Sequence, residues 1–333
     1  MPPTFSQSSD PNIPYSSPAS LPGVPPEPPK LKSFGVFFSE ALREIKEISY
    51  VLVPLGLLLF LLQAVLPAFL GFLPQAIDAI LSFPVALASF LFYFLAPIII
   101  LQTIALNQSG GRLEFREAIN RGFGVLFPYG IVLFIAGIIR FGAFVPFIIP
   151  GIIVAVFLAL VEPAAAIEGR RGFDALARSW ALVRGSGWSV FGRLLLLWLI
   201  LIAVAVLLVL PVFLVTIGLT LWGGYQATQE SGGVMDETTF FQQFEGQLAF
   251  PQLIFNTWAS AVGIAVLFFT FAFDFVLFRN LVAIKGDVVD VKKGKFYALL
   301  VWGIIAGIIL VALFLLLIVF AIMQTSNPSF FAN

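Results

Sequence analysis

Residues 189 to 224 run for 36 positions with no acidic residue and with Arg193 as the one basic residue. About 20 apolar residues, at roughly 1.5 Å each, cross a hydrocarbon core about 30 Å thick. The run is therefore longer than one perpendicular crossing and too short for two crossings with a turn. It reads as one long, tilted or kinked helix around Pro211; a span followed by a re-entrant segment is the alternative. Similar apolar runs occupy about 50–73, 79–105, 123–141, 146–166, 252–281 and 297–323. Backbone in lipid must satisfy its own polar groups, and a helix does so within one segment. The expected fold class is all-α, a polytopic transmembrane helical bundle of about seven spans (range roughly 6–8). Composition agrees, since 11% of residues are charged against about a quarter in soluble domains.

Charge placement sets the expected topology. With seven spans, the amino tail and the segments 106–122, 167–193 and 279–296 share one side, and they carry 17 of the 18 Lys and Arg residues. The other side holds Arg140 beside Asp78, Glu230, Asp236, Glu237 and Glu245. Positive residues stay on the cytoplasmic side. The expectation is a plasma-membrane, multi-pass protein with its amino terminus cytoplasmic and its carboxyl terminus external. The first apolar run starts near Tyr50, too deep for a cleavable signal peptide.

Three regions are expected: residues 1–32, a membrane domain over 33–324, and a short external tail over 325–333. Residues 1–32 hold ten of the 22 prolines and almost no aliphatic residues, a composition that predicts a disordered cytoplasmic tail. Two amphipathic stretches flank spans. Over 33–48, Phe34, Phe37, Phe38, Ala41, Leu42, Ile45 and Ile48 recur at helical spacing, with Glu40, Arg43, Glu44, Lys46 and Glu47 opposite. Over 172–184, Phe173, Leu176, Ala177, Trp180 and Val183 form an apolar stripe, and Asp174 and Arg178 make an i,i+4 pair on the other side. Both read as helices lying flat on the cytoplasmic membrane surface. Residues 107–122 are polar with a short apolar stripe at Leu113, Phe115, Ala118 and Ile119, and 225–250 is a polar, acidic loop. The short stretches at Phe38–Leu42, Phe115–Ile119 and Phe173–Leu176 resemble one another, a weak repeat of surface helix followed by span pair.

The segment 150–188 resembles the bacterial glycerophosphoryl diester phosphodiesterase membrane domain family. The resemblance rests on Pro150-Gly151, Glu162-Pro163, Ala166-Ile167-Glu168-Gly169, Ala175-Leu176, Arg178-Ser179-Trp180, Leu182, Arg184-Gly185 and Trp188. It implies a helical membrane domain. The family name comes from members fused to a catalytic barrel that needs His and carboxylates, a domain this chain lacks, so the resemblance implies no catalytic activity.

The chain has neither cysteine nor histidine. That removes thiolate chemistry, the commonest general base and the commonest transition-metal ligand. No catalytic residue, cofactor or metal site is expected, and no nucleic-acid partner. Ionisable groups within spans are costly and are usually paired or functional. The expected intramembrane cluster is Glu162 and Asp274 held by Arg193 and Arg279. Its bland reading is structural ion pairing; its functional reading is a polar, inner-leaflet site for an anionic headgroup or solute. Arg170, Arg171, Lys292, Lys293 and Lys295 are candidate contacts for anionic lipid headgroups. The partners expected are membrane lipids and an unidentified membrane protein. The function expected is a non-catalytic structural or scaffolding membrane domain. A transporter or lipid-handling permease is the alternative, and a membrane-embedded enzyme acting on lipid comes third.

The absence of native cysteine gives a clean background for testing topology. In Ser231→Cys the thiol should react with an impermeant reagent in intact cells, whereas in Lys293→Cys it should react only after permeabilisation. The reverse pattern at either position would overturn the orientation or the span count.

Overall fold

A computed structural model describes residues 31–144, 148–230 and 237–286, with scattered positions between 301 and 319. Among these residues the regular elements are helices. In order they are α1 (Phe34–Glu47), α2 (Ser49–Phe60), a π-helical turn (Leu61–Val65), α3 (Leu66–Leu70), α4 (Gln75–Gln108), α5 (Phe115–Phe144), α6 (Ile148–Phe157), α7 (Val161–Ala166), α8 (Phe173–Val183), α9 (Gly187–Glu230) and α10 (Glu237–Lys285). Among the described residues six spans are long and apolar enough to cross a membrane: Ser49–Leu70, Ala76–Gln108, Phe115–Phe144, Ile148–Ala166, Gly187–Gly223 and Pro251–Lys285. The chain is a membrane-embedded all-α bundle. The amino tail, the expected seventh span at 297–323 and the carboxyl tail lie wholly or largely outside the described residues.

Residues 189–224 do form one helix, which runs on to Glu230 with Pro211 inside it. The acidic segment after it, read as a loop, is instead largely helical: α10 begins at Glu237, well before its apolar span at Pro251. A helix leaving lipid keeps its own hydrogen bonds, so a polar sequence extends it without penalty. Likewise α5 starts at Phe115, so the stripe at 115–119 is the first turn of a span. α9 and α10 pair along their length, with Trp258 Nε1 donating to Leu208 O (2.9 Å) and Phe213 facing Phe255 (5.7 Å). Burial separates their roles: 61% of the α10 span window is buried against 6% of that of α9. α10 is the central pillar, and α9 presents an apolar face, as lipid requires.

The two amphipathic helices bury much of their apolar faces against protein. α1 packs on α10, where Phe34 and Phe37 meet Phe273 (5.6 and 5.9 Å) and Phe38 meets Phe269 (4.8 Å). Its buried face includes Glu44, whose carboxylate accepts from Gln108 Nε2 (2.7 Å). Burial pushes the Glu44 carboxyl above the usual carboxylate range, against the Gln108 hydrogen bond and the attraction of Arg279. α8 buries Ala175, Leu176, Arg178, Ser179, Leu182 and Val183. The stripe read as lipid-facing is mostly protein-facing, and Trp180 stacks on Phe157 of α6 (4.1 Å). Only Phe173 of that stripe is exposed.

The expected Asp174–Arg178 pair gives way to a stronger one. Arg178 is fully buried and grips Glu168 in a two-nitrogen, two-oxygen fork (2.9–3.1 Å), while its Nη1 donates to Gly286 O (3.2 Å). Planar guanidinium and carboxylate match in this way, and an exposed i,i+4 pair offers much less. Gly172, the residue before α8, has φ +51°, which a side chain would strain. The fork ties the loop after α7 to both α8 and the end of α10. Arg178→Met should leave the Glu168 carboxylate with Arg170 alone and Gly286 O without this donor, and lower stability by about 1–3 kcal/mol, read as a clear fall in melting temperature in detergent. A melting temperature within a degree or two of wild type would show that the fork does not hold α8 in place.

Candidate functional site

The fourth span is broken. Between α6 and α7, residues Leu158–Leu160 leave the helical ladder, and Pro163 has no N–H to give to Ala159 O. Orphaned backbone groups at membrane depth need protein partners. Ser179 of α8 supplies two: its hydroxyl donates to Phe157 O (2.7 Å) and accepts from Leu160 N–H (3.1 Å). Arg140 of α5 adds its Nη2 as a second donor to Leu158 O (2.6 Å), which also accepts from Val161 N–H (3.2 Å). Arg140 thus turns into the bundle instead of reaching the nearer surface. The start of α6 lies close against the end of α5: a Cβ on Gly151 would stand 2.3 Å from the Phe144 ring and would displace it.

The break aims Glu162, on the first turn of α7, into the bundle. Tyr129 donates its hydroxyl to Glu162 Oε2 (3.3 Å). Glu162, Arg140 and Asp274 of α10 line one cavity of about 640 Å³ and act on one another electrostatically. Among the described residues no ion pair within 4.0 Å joins Arg140 to either acid, and no hydrogen bond is made by Asp274. The remaining walls are mainly apolar, with Phe191, Leu195 and Trp198 from α9 and Phe271 from α10. A second cavity of about 780 Å³ adjoins it, with Tyr93, Gly263 and Leu267 lining both. This second space is polar without charge, carrying Gln63, Gln252, Asn256, Thr257 and Ser260. The π-helical turn in the first span contributes Gln63 and Ala64 to its wall, and Ser89 donates to the neighbouring Leu62 O (2.9 Å). Such turns place side chains that a regular helix would direct elsewhere.

The expected cluster is half assembled. Glu162 and Asp274 do share a site, but Arg193 and Arg279 are not in it. Arg193 donates to Lys32 O (2.6 Å) and Ser189 O (2.8 Å) and lies over the Phe37 ring, so it fastens the chain before α1. Arg279 faces Glu40 (3.7 Å) and Glu44 (4.0 Å) of α1. Equal depth along neighbouring spans did not put these residues on facing sides, and α1 brought nearer carboxylates to Arg279. The countercharge in the cavity is Arg140, which sequence reasoning had left on the opposite surface. Its signal was present, because a lone arginine away from the basic side is itself a site indicator. Tyr129 and Ser179 carried no comparable signal. Of the headgroup candidates, Arg170 pairs with Glu168, Arg171 is exposed, and Lys292, Lys293 and Lys295 lie outside the described residues.

No protein-family model, curated protein or solved structure matches the chain.

A double-mutant cycle separates the two groupings. Arg140→Gln with Asp274→Asn should show a coupling of roughly 0.5–3 kcal/mol in detergent melting, whereas Arg279→Gln with Asp274→Asn should be additive within about 0.5 kcal/mol. Additivity in the first cycle and coupling in the second would restore Arg279 as the partner of Asp274.

Proposed function

We propose that this chain is a permease-type membrane protein that handles lipid or an amphipathic solute at a charged site within its spans, and that it acts without covalent catalysis. One observation carries the reading: Arg140, Glu162 and Asp274 converge on an open cavity of about 640 Å³, a volume typical of ligand sites. A purely scaffolding bundle has no use for three ionisable groups around a void. Buried charges of that kind usually close into direct pairs, since each unpaired one costs several kcal/mol. The adjoining polar cavity shares Tyr93, Gly263 and Leu267 with the charged one and extends the polar space within the bundle. In this proposal the basic side is cytoplasmic, the membrane is the plasma membrane, and the resemblance of 150–188 to the glycerophosphoryl diester phosphodiesterase membrane domain family describes a helical architecture and not a reaction.

The test is a melting curve beside a lipid inventory of the purified protein. Asp274→Asn should keep the melting temperature within about 1 °C of wild type or raise it, equivalent to under about 1 kcal/mol lost, while changing the amount or kind of co-purified lipid. A large fall in melting temperature with an unchanged lipid inventory would instead identify the cluster as structural and favour the scaffold.

A further inference from the structure

We propose that the charged cavity receives the headgroup of a zwitterionic diacyl phospholipid, with its phosphate on Arg140, its ammonium at Glu162 and Asp274, and an acyl chain in the adjoining apolar groove between α6 and the start of α9. This rests on the lipid-handling reading and specifies its ligand.

Charge supplies the first part. The cavity presents both signs: one guanidinium and two carboxylates. Arg140 has one nitrogen committed to Leu158 O and no described acid within 4.0 Å, so its charge is not consumed by an ion pair. Asp274 lines the cavity without a hydrogen-bond donor among the described residues, and Glu162 has Tyr129 alone. A guanidinium offers a phosphate a matching fork of donors, and an ammonium needs acceptors. An anionic lipid would bring a further acidic group to a site that already holds two carboxyl side chains beside its one guanidinium. A neutral diacylglycerol would leave all three groups unmatched. In a low-dielectric span such mismatches weigh heavily.

Shape supplies the second part. Ile152, Leu195 and Trp198 line the charged cavity and are themselves exposed, so its α6–α9 wall opens sideways, where lipid lies. Ile152, Val156 and Phe191 also line a groove of about 700 Å³ that continues past Ile149, Ile153 and Trp188. That groove carries no charged side chain. A charged pocket running into an apolar groove that is open to the bilayer fits an amphipathic ligand, with its head and tail in fixed order.

The test is lipid binding to the delipidated full chain, followed by native mass spectrometry with phosphatidylethanolamine, phosphatidylglycerol and diacylglycerol as probes. Wild type should bind phosphatidylethanolamine at least about tenfold more tightly than either other lipid, the effect of one charge-assisted contact. Asp274→Asn should remove most of the preference over phosphatidylglycerol, and Asp274→Glu should restore it, which separates lost recognition from lost folding. Free phosphoethanolamine should compete poorly; displacement at equal concentration would show a soluble zwitterion to be the ligand and overturn the assignment. Equal binding of the three lipids, or a preference for phosphatidylglycerol, would also overturn it. If Asp274→Asn still altered the co-purified lipid, the lipid-handling reading would survive that failure. If it altered no lipid, both would fall.

Discussion

A backbone carbonyl or amide at membrane depth has no water to turn to, and the break at Leu158–Leu160 exposes several at once. The surrounding architecture follows from how they are satisfied. Ser179 is at the break because α8 is packed into the bundle, and α8 is held there by the Arg178–Glu168 fork and by Trp180 on Phe157. Arg140 reaches the same break from α5 and in doing so carries a positive charge inward. The break also redirects the chain so that Glu162 faces Arg140 and Asp274 and not lipid. One interruption of a helix therefore fixes the docking of α8, the direction of Arg140 and the position of an acid. The same device recurs at lower stakes beside the π-helical turn, where Ser89 answers Leu62 O.

The bundle was largely legible in the sequence because lipid imposes strong, one-dimensional constraints. Apolar length and the absence of charge located the six described spans, and the single long helix from Gly187 was read from length alone. Amphipathic segments were legible as helices but not in their docking. An apolar stripe such as Phe34–Phe37–Phe38 suits a lipid surface and a protein groove equally well, and only the buried face of α10 decides between them. The buried Glu44 shows the same limit, since its partners Gln108 and Arg279 come from distant segments. Arg178 was read as a local pair with Asp174 because i,i+4 spacing is visible in sequence, whereas a fork to Glu168 across a loop is not.

The candidate site was legible in its acids and not in its base. Depth along a span can be counted from the nearest charged boundary, which put Glu162 and Asp274 together. Rotation about a span cannot be counted in this way where the apolar residues run almost all round the helix, as they do along α9 and along the stretch of α10 before Arg279. Arg193 and Arg279 were therefore matched by depth and missed by direction. Arg140 was missed because, near one end of its span, it counts with the surface on that side. A broken helix gave it a nearer partner inside. The result is a guanidinium and two carboxylates around an open volume, an arrangement that packing alone would be expected to collapse.

The central claim is that this volume is a binding site and not a gap between structural charges. A cryo-electron microscopy map of the full chain in nanodiscs of native lipid tests it most directly. The account predicts elongated density between Arg140 and Asp274, continuing past Phe191 into the groove beside Ile153. A map in which Arg140 closes directly onto Glu162 or Asp274, with the cavity filled by neighbouring side chains, would contradict it.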